Sequence, residues 1–386
     1  MQQPGQQNVS KWGLIWPVLA SIVLPLIAAW FVYPDHLPPK FGVFPPEFVA
    51  PAPGFNLTIF ILVGIAAAAI VLFVLFPKLF GFAPTVAPPA PAKAKLPVWF
   101  WLGLVVTGFF WWLMWTRVTP FGDLVFYAFT PLWWGFIVML DGIVYWRNAG
   151  RSLISKKPLT LLISAVVSLV GWYYFEYYNY FVLGNWYYPN STMPQISHTT
   201  MVWIYLLAYT TVWPAVFEWY NLLGTFPHFA ARYAQGPKLT LPANLLMLVG
   251  FVLIVAMVFW PRPLFWAVWI GPLAIITAQL QRLGIWTPFT AISQGNWTPG
   301  VLMGLACFFN GFVWEIWNYG SAHPEVPVTN PNYWIYDIPY VNVIHIFAEM
   351  PLEGYFGYIP FGILTWIFFI WAGKLCGFNV SLDLND

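Results

Sequence analysis

The 386-residue chain is 60% hydrophobic and 21% aromatic, and only 7% of its residues are charged, where a soluble domain carries about a quarter. That balance excludes an ordinary soluble globule, and a formal charge of +2 with no basic run excludes a nucleic-acid partner. Two cysteines, Cys307 and Cys376, give neither a disulfide framework nor a metal-type cluster.

In chain order, apolar runs long enough to cross ~30 Å of hydrocarbon as helices fall at 12–33, 55–80, 97–116, 124–146, 158–181, 201–223, 242–260, 263–281, 299–318 and 341–373. They predict an all-α, polytopic transmembrane helical bundle of about ten spans. The first run is too long for the core of a signal peptide and reads as a retained span. Only Trp260–Pro263 separates the seventh run from the eighth, which predicts a tight turn. The last run is too long for one crossing and is interrupted by Pro351. It predicts an interfacial or re-entrant piece followed by a helix opening at that proline.

Two proline-rich connectors, 33–56 and 82–97, read as extended polyproline-like segments. The second separates a two-helix N-terminal hairpin with Pro-rich loops (1–96) from a core read as a first membrane repeat (97–240) and a second (241–386). With ten spans, Lys11, Lys78, Lys93, Lys95, Arg147, Arg151, Lys156, Lys157, Arg232, Lys238, Arg282 and Lys374 share one side, and only Lys40, Arg117 and Arg262 share the other. Short cytoplasmic loops hold the excess of Lys and Arg, so both termini are predicted in the cytoplasm and the protein in the inner (plasma) membrane.

The repeat is read from "GWYYFEYYNY" and "GFVWEIWNYG", in which an apolar span ends in aromatic-Glu-x-x-Asn-Tyr. Glu176 and Asn179 map onto Glu315 and Asn318 at a constant offset of 139 residues, and each copy is followed by a Trp-x-Tyr stretch, Trp186 to Tyr188 and Trp334 to Tyr336. The copies lie four spans apart, on the fifth and the ninth, so they point the same way and the tandem repeat is parallel. A weaker echo, "FEWYN", lies at 217–221.

A carboxyl group in a membrane span faces the bundle interior and has a partner. The three-residue spacing sets each Asn on the face of its Glu, where the amide is expected to donate to the carboxyl. Two readings stay open. Each pair is an interhelical clamp holding the outer loop, or a buried carboxyl that keeps a proton acts as a general acid on an alkene. In the second reading the faces of Trp172, Tyr173, Trp314 and Trp317 stabilise a cation.

The densest polar stretch, 321–362, carries His323, Glu325, Asp337, His345, Glu349 and Glu353. Glu353 would stand in the first turn of the helix opening at Pro351, with Glu349 just before it, as an acid and base pair. Gly354 and Gly357 would let a helix or a flat ligand approach. His345 and Glu349 are four apart, a two-ligand face on a helix, but no HExxH motif is present and no metal is expected. His345 is the one histidine expected at membrane depth, which excludes a four-His haem bundle but leaves a single haem open, so the cofactor is unassigned. Asp141, Glu218 and His228 form a second, sparse polar track. The chain carries no phosphate-binding loop, no GxGxxG and no GxSxG.

The order Trp314-Glu315, Trp334-x-Tyr336, then Pro351-Leu352-Glu353 before an aromatic helix resembles the integral-membrane lycopene cyclase domain of heterodimeric or fused carotenoid cyclases. Here Glu315 stands where that family has Asp, and Gly354 where it has a second glutamate, so Glu349 would have to complete the acid pair. The likeness spans about residues 120–373. The chain also resembles uncharacterised bacterial ten-span membrane proteins, through aromatic-Glu-x-x-Asn and Gly150-Arg151-Ser152-Leu153. The resemblance implies an acid-catalysed isomerase of a polyisoprenoid, with Glu315 and Glu353 as proton donor and partner and Glu176 and Glu349 assisting. The ligand would be bound by Asn179, Asn318, Trp314, Trp317, Trp334, Tyr336 and His345. The rival is a non-catalytic subunit of a larger membrane complex that contacts carotenoids, quinones or lipids. A proton-coupled transporter is third.

Overall fold

The computed structural model describes residues 10–47, 50–323 and 328–385. The expected Glu325 lies outside the described residues. Among the described residues the regular structure is helical apart from one short antiparallel pairing of distant segments: α1 (Lys11–Val32), α2 (Leu57–Leu75), α3 (Val98–Thr116), α4 (Phe129–Arg147), the short α5 (Leu153–Lys156), α6 (Pro158–Phe181), α7 (His198–Tyr209), α8 (Val212–Gly224), the short α9 (Pro227–Ala231), α10 (Ala243–Phe259), α11 (Ala267–Arg282), the short α12 (Pro288–Ser293), α13 (Thr298–Gly320) and α14 (Tyr358–Cys376). Three 3₁₀ segments cover Pro77–Phe80, Thr119–Tyr127 and Leu352–Gly357. Eight helical stretches are long and apolar enough to cross a membrane, and α10 is a shorter apolar helix of 17 residues. This is a multi-pass membrane protein.

The helix starts follow from local chemistry. Ser10, Asn56 and Ser197 accept backbone N–H groups at the openings of α1, α2 and α7, and Pro158 and Pro288 sit in first turns, where no N–H is needed. Close helix pairs rest on small residues. At Gly103 of α3 a Cβ would lie 2.5 Å from the Met139 nitrogen of α4, and at Gly250 of α10 one would lie 2.9 Å from the Gly271 oxygen of α11.

The expected span at 201–223 is one apolar stretch, His198–Gly224, but the helix within it is broken. Thr210 and Thr211 turn between α7 and α8, their hydroxyls donating to the Leu207 and Ala208 carbonyls at 2.6 and 2.7 Å. Pro214 follows and has no N–H to continue the ladder. Ser168 of α6 repairs the gap, donating to the Tyr209 carbonyl at 2.5 Å and accepting the Trp213 N–H at 3.1 Å. Irregular backbone at this depth is tolerable where protein satisfies it or where it lines a cavity.

A second correction concerns Pro351. It caps a 3₁₀ turn at Leu352–Gly357, and the α-helix opens only at Tyr358, so Glu353 does not lie in the first turn of an α-helix. Residues 337–351 form turns and bends.

Helix ends gather in two layers. In one, β1 (Trp186–Tyr187) pairs antiparallel with β2 (Ile335–Tyr336), Trp186 opposite Tyr336. The connector 33–56 wraps this pairing: the Tyr188 N–H donates to the Pro46 carbonyl at 3.1 Å, Ala50 to Leu183 at 3.1 Å, and Ala52 to the Asp337 carboxyl at 2.8 Å. In the other layer, the 83–97 connector is tied by Ala83 N–H to the Gln235 carbonyl and Ala94 N–H to the Trp146 carbonyl, both at 2.8 Å. α1 is woven into the bundle, where Ser21 shares a 2.7 Å hydrogen bond with Tyr174 of α6. α2 is almost bare and touches chiefly the 3₁₀ segments at 77–80 and 352–357.

Candidate functional site

A cavity of about 440 Å³ opens beneath the β1–β2 pairing. Its walls come from both aromatic-Glu-x-x-Asn regions. Trp172 (α6), Trp186, Tyr188 and Tyr209 (α7) form one wall, and Trp314 (α13), Trp334, Tyr336 and Tyr358 (α14) the other. Trp269 of α11 and Phe361 lie between them, with Trp186 and Trp269 stacked at 5.4 Å and 23°. Ile59 and Val63 of the bare helix α2 close one side.

Behind the first wall, Glu176 is buried and accepts four hydrogen bonds. Tyr188 at 2.5 Å, Tyr209 at 2.9 Å and Trp172 at 3.0 Å reach Oε1, while Trp186 reaches Oε2 at 3.1 Å. All four donors line the cavity. Behind the second wall, Glu315 is also fully buried, but accepts only Tyr358 at 2.6 Å and Tyr336 at 3.0 Å, both on Oε1. Its Oε2 has no side-chain donor among the described residues, and the Met350 backbone N–H is directed at the same carboxyl. Burial pushes the phenols of Tyr188 and Tyr336 well above their ordinary range, so both remain neutral donors.

The expected Asn-to-Glu hydrogen bond does not form. Asn179 instead donates to the Trp186 carbonyl at 2.7 Å and accepts the Asn185 N–H at 2.8 Å, and Asn318 donates to the Trp334 carbonyl at 2.7 Å and accepts the Trp334 N–H at 3.0 Å. Each amide lies one turn nearer the helix end, level with the loop backbone, and satisfies both of its functions there. Glu holds the cavity wall and Asn holds the strand above it.

Glu353 is the carboxyl on the cavity wall. It is 8% exposed, its Oε2 has no hydrogen-bond partner among the described residues, and its Oε1 lies 3.1 Å from where a side chain on Gly64 of α2 would begin. Of the two glycines beside it, Gly354 is packed against Met350, whereas at Gly357 a Cβ would meet nothing within 4 Å. Glu349, the expected partner, sits apart from the wall and accepts Tyr333 at 2.6 Å and His323 at 3.0 Å. Its segment is not helical, so the face expected from His345 and Glu349 does not exist.

His345 lies on an exposed turn with its ring on the Ala348 carbonyl at 3.2 Å, outside the cavity, which removes the reason to see it as an axial haem ligand. Trp317 is core, its ring 4.7 Å from Trp133 and 5.2 Å from Phe136. Tyr173 is half exposed and packs on Phe44. Among the described residues no group of three or more His, Cys, Asp or Glu is placed to hold a metal ion. Sequence reading overlooked Tyr209, Trp269, Tyr358 and Phe361. Tyr358 had a visible signal, an aromatic beside Gly357, but Tyr209 and Trp269 are brought in by helices whose packing no local motif announces.

No family model, no curated protein and no solved structure matches the chain.

Proposed function

We propose that the chain is a ten-crossing inner-membrane protein, built as a parallel tandem repeat, that binds a polyisoprenoid or a similar elongated apolar ligand and isomerises it by acid catalysis. The observation that carries this is an aromatic cavity whose wall holds one carboxyl with an unpaired oxygen, Glu353. Ten crossings are supported by the two layers of helix ends, between which α1, α2, α3, α4, α6, α7 with α8, α10, α11, α13 and α14 alternate. The repeat is supported by Glu176 and Glu315 standing behind opposite walls and by Asn179 and Asn318 holding the paired strands. The excess of Lys and Arg supports cytoplasmic termini.

In this reading the protonated Glu353 gives its proton to one carbon of a ligand double bond. The cation formed on the neighbouring carbon faces Trp and Tyr rings, whose quadrupoles stabilise it. The Glu353 carboxylate then removes a proton from the adjacent carbon, and the double bond shifts with no net loss or gain of atoms. Glu176 and Glu315 touch no ligand but orient the walls through their tyrosine and tryptophan donors, a positioning role.

The test is incubation of detergent-purified protein with a polyisoprenoid in D₂O, followed by mass spectrometry of the recovered lipid. Wild-type protein is expected to introduce deuterium at allylic or vinylic carbons, and Glu353→Gln to bind the lipid without introducing any. Equal incorporation by both proteins, or none by wild-type protein with lipid bound, overturns the catalytic assignment.

A further inference from the structure

A second buried polar site lies deeper in the bundle than the cavity. Asp141 on α4, Glu218 on α8 and Asn310 on α13 are all fully buried, and Asn221, one turn beyond Glu218, is nearly so. Helix register sets them at one level. Trp133 of α4 packs on Trp317 of α13. Asp141 follows Trp133 by eight residues, and Asn310 precedes Trp317 by seven in the antiparallel helix, a displacement of roughly 11–12 Å in the same direction. Trp219, next to Glu218, lies between Phe136 of α4 and Phe309 of α13.

The members are unequally satisfied. Asp141 accepts the Trp99 indole N–H on Oδ1 and the Ile154 backbone N–H on Oδ2, both at 2.8 Å. Glu218 has no donor on either oxygen, and both amide atoms of Asn310 and the Asn221 Nδ2 are also unpaired among the described residues. The polar group that meets Glu218 is the Asp141 carboxyl itself. Among the described residues neither carboxyl has a hydrogen bond or ion pair with a Lys, Arg or His side chain. The nearest arginine on α4, Arg147, is spent on the Thr225 hydroxyl at 2.8 Å and on the Phe226 ring.

Two carboxyl oxygens attract only when a proton lies between them, and two uncompensated charges in such an interior cost several kcal/mol each. The geometry points to a proton-binding site: Asp141 and Glu218 share one proton, carried on Glu218 and directed at Asp141, while the unpaired amides of Asn221 and Asn310 hold the water that loads it. The remaining negative charge stays on Asp141, where Trp99 and Ile154 already donate to it. Glu218 follows Val212, a cavity residue, by six residues on the same helix, about 9 Å. The site thus stands between the cavity and the opposite layer of helix ends, placed to pass protons inward.

Infrared spectroscopy of the full chain in mild detergent at neutral pH tests this without any ligand. The wild-type minus Glu218→Gln difference spectrum is expected to contain the carbonyl stretch of a protonated carboxylic acid, shifted in D₂O, because the Asp141 left behind is ionised. Asp141→Asn is expected to keep that band but move it upward in frequency, since Glu218 stays protonated and loses its acceptor. A structural role alone predicts no such opposite response. Absence of the band from the wild-type minus Glu218→Gln spectrum, or the same loss in both variants, overturns the proposal. So does a sodium-dependent rise in thermal stability, measured against choline chloride, that Glu218→Gln removes, since that would make the occupant a metal ion.

Discussion

Glu176 and Glu315 occupy matching places on α6 and α13, yet they are held very differently. Glu176 is saturated by four aromatic donors on its two oxygens, whereas Glu315 has two side-chain donors, both on one oxygen. A saturated carboxylate has no capacity left for chemistry and serves to fix the rings that touch it. The half-satisfied one leaves its wall adjustable, and it is on that wall that Glu353 presents an unpaired oxygen to the cavity. The same short motif therefore places a saturated carboxyl group behind one wall and a half-satisfied one behind the other.

The largest break in this comparison should come from Glu176→Leu. It strands four buried donors, at about 1–3 kcal/mol each, and the expected result is loss of folded protein in detergent, read by thermal unfolding. Glu315→Leu strands two side-chain donors and the Met350 N–H directed at the same carboxyl, and is expected to cost less, leaving a folded protein with a lower melting temperature. If Glu315→Leu proved the more damaging, the contrast between a rigid and an adjustable wall would be wrong.

Asn179→Ala and Asn318→Ala sharpen the comparison instead, because the two asparagines are satisfied alike. Each is expected to cost on the order of 1–3 kcal/mol, equal within error, with loosening of β1–β2 visible as faster amide exchange at 185–187 and 334–336. Unequal costs would show that the strands are held by other contacts.

The smallest effect is at alkaline pH. The phenols of Tyr188 and Tyr336 are held well above the ordinary tyrosine range, through burial first and the adjacent carboxylate second. The stability they contribute is fully present below pH 10 and is lost as pH rises above it, because the unfolded chain ionises first. Absorbance titration should show a set of tyrosines ionising only as the protein unfolds; complete tyrosinate formation in folded protein would contradict their role as fixed neutral donors.

Much of the scaffold was legible from the sequence. Hydrocarbon-length apolar runs mark the helices, and aromatic-Glu-x-x-Asn followed by Trp-x-Tyr marks the two walls. What failed were inferences about partners. The spacing put Asn on the face of Glu, but a loop carbonyl and N–H one turn above fit an amide better than a carboxyl already covered by hydroxyl and indole donors. Pro351 was read as a helix start because proline favours first turns, yet the chain needed a further 3₁₀ turn to carry Glu353 beneath α2. His345 was given membrane depth by counting residues, although the segment 342–347 folds back as an exposed turn. The break at Thr210–Thr211 depends on Ser168 from another helix, and such a repair leaves no local mark.

Whether the cavity holds an apolar ligand is measured directly by mass spectrometry of lipid co-purified with wild-type protein and with Gly357→Phe. Gly357 lines the cavity at an exposed position with open space where a side chain would begin, so a phenyl group there obstructs the cavity mouth at little cost to folding. The account predicts a defined isoprenoid-type species in near-stoichiometric amount with the wild-type protein and its absence from a folded Gly357→Phe. The same lipid content in both proteins, or bulk phospholipid alone in the wild-type protein, would contradict it.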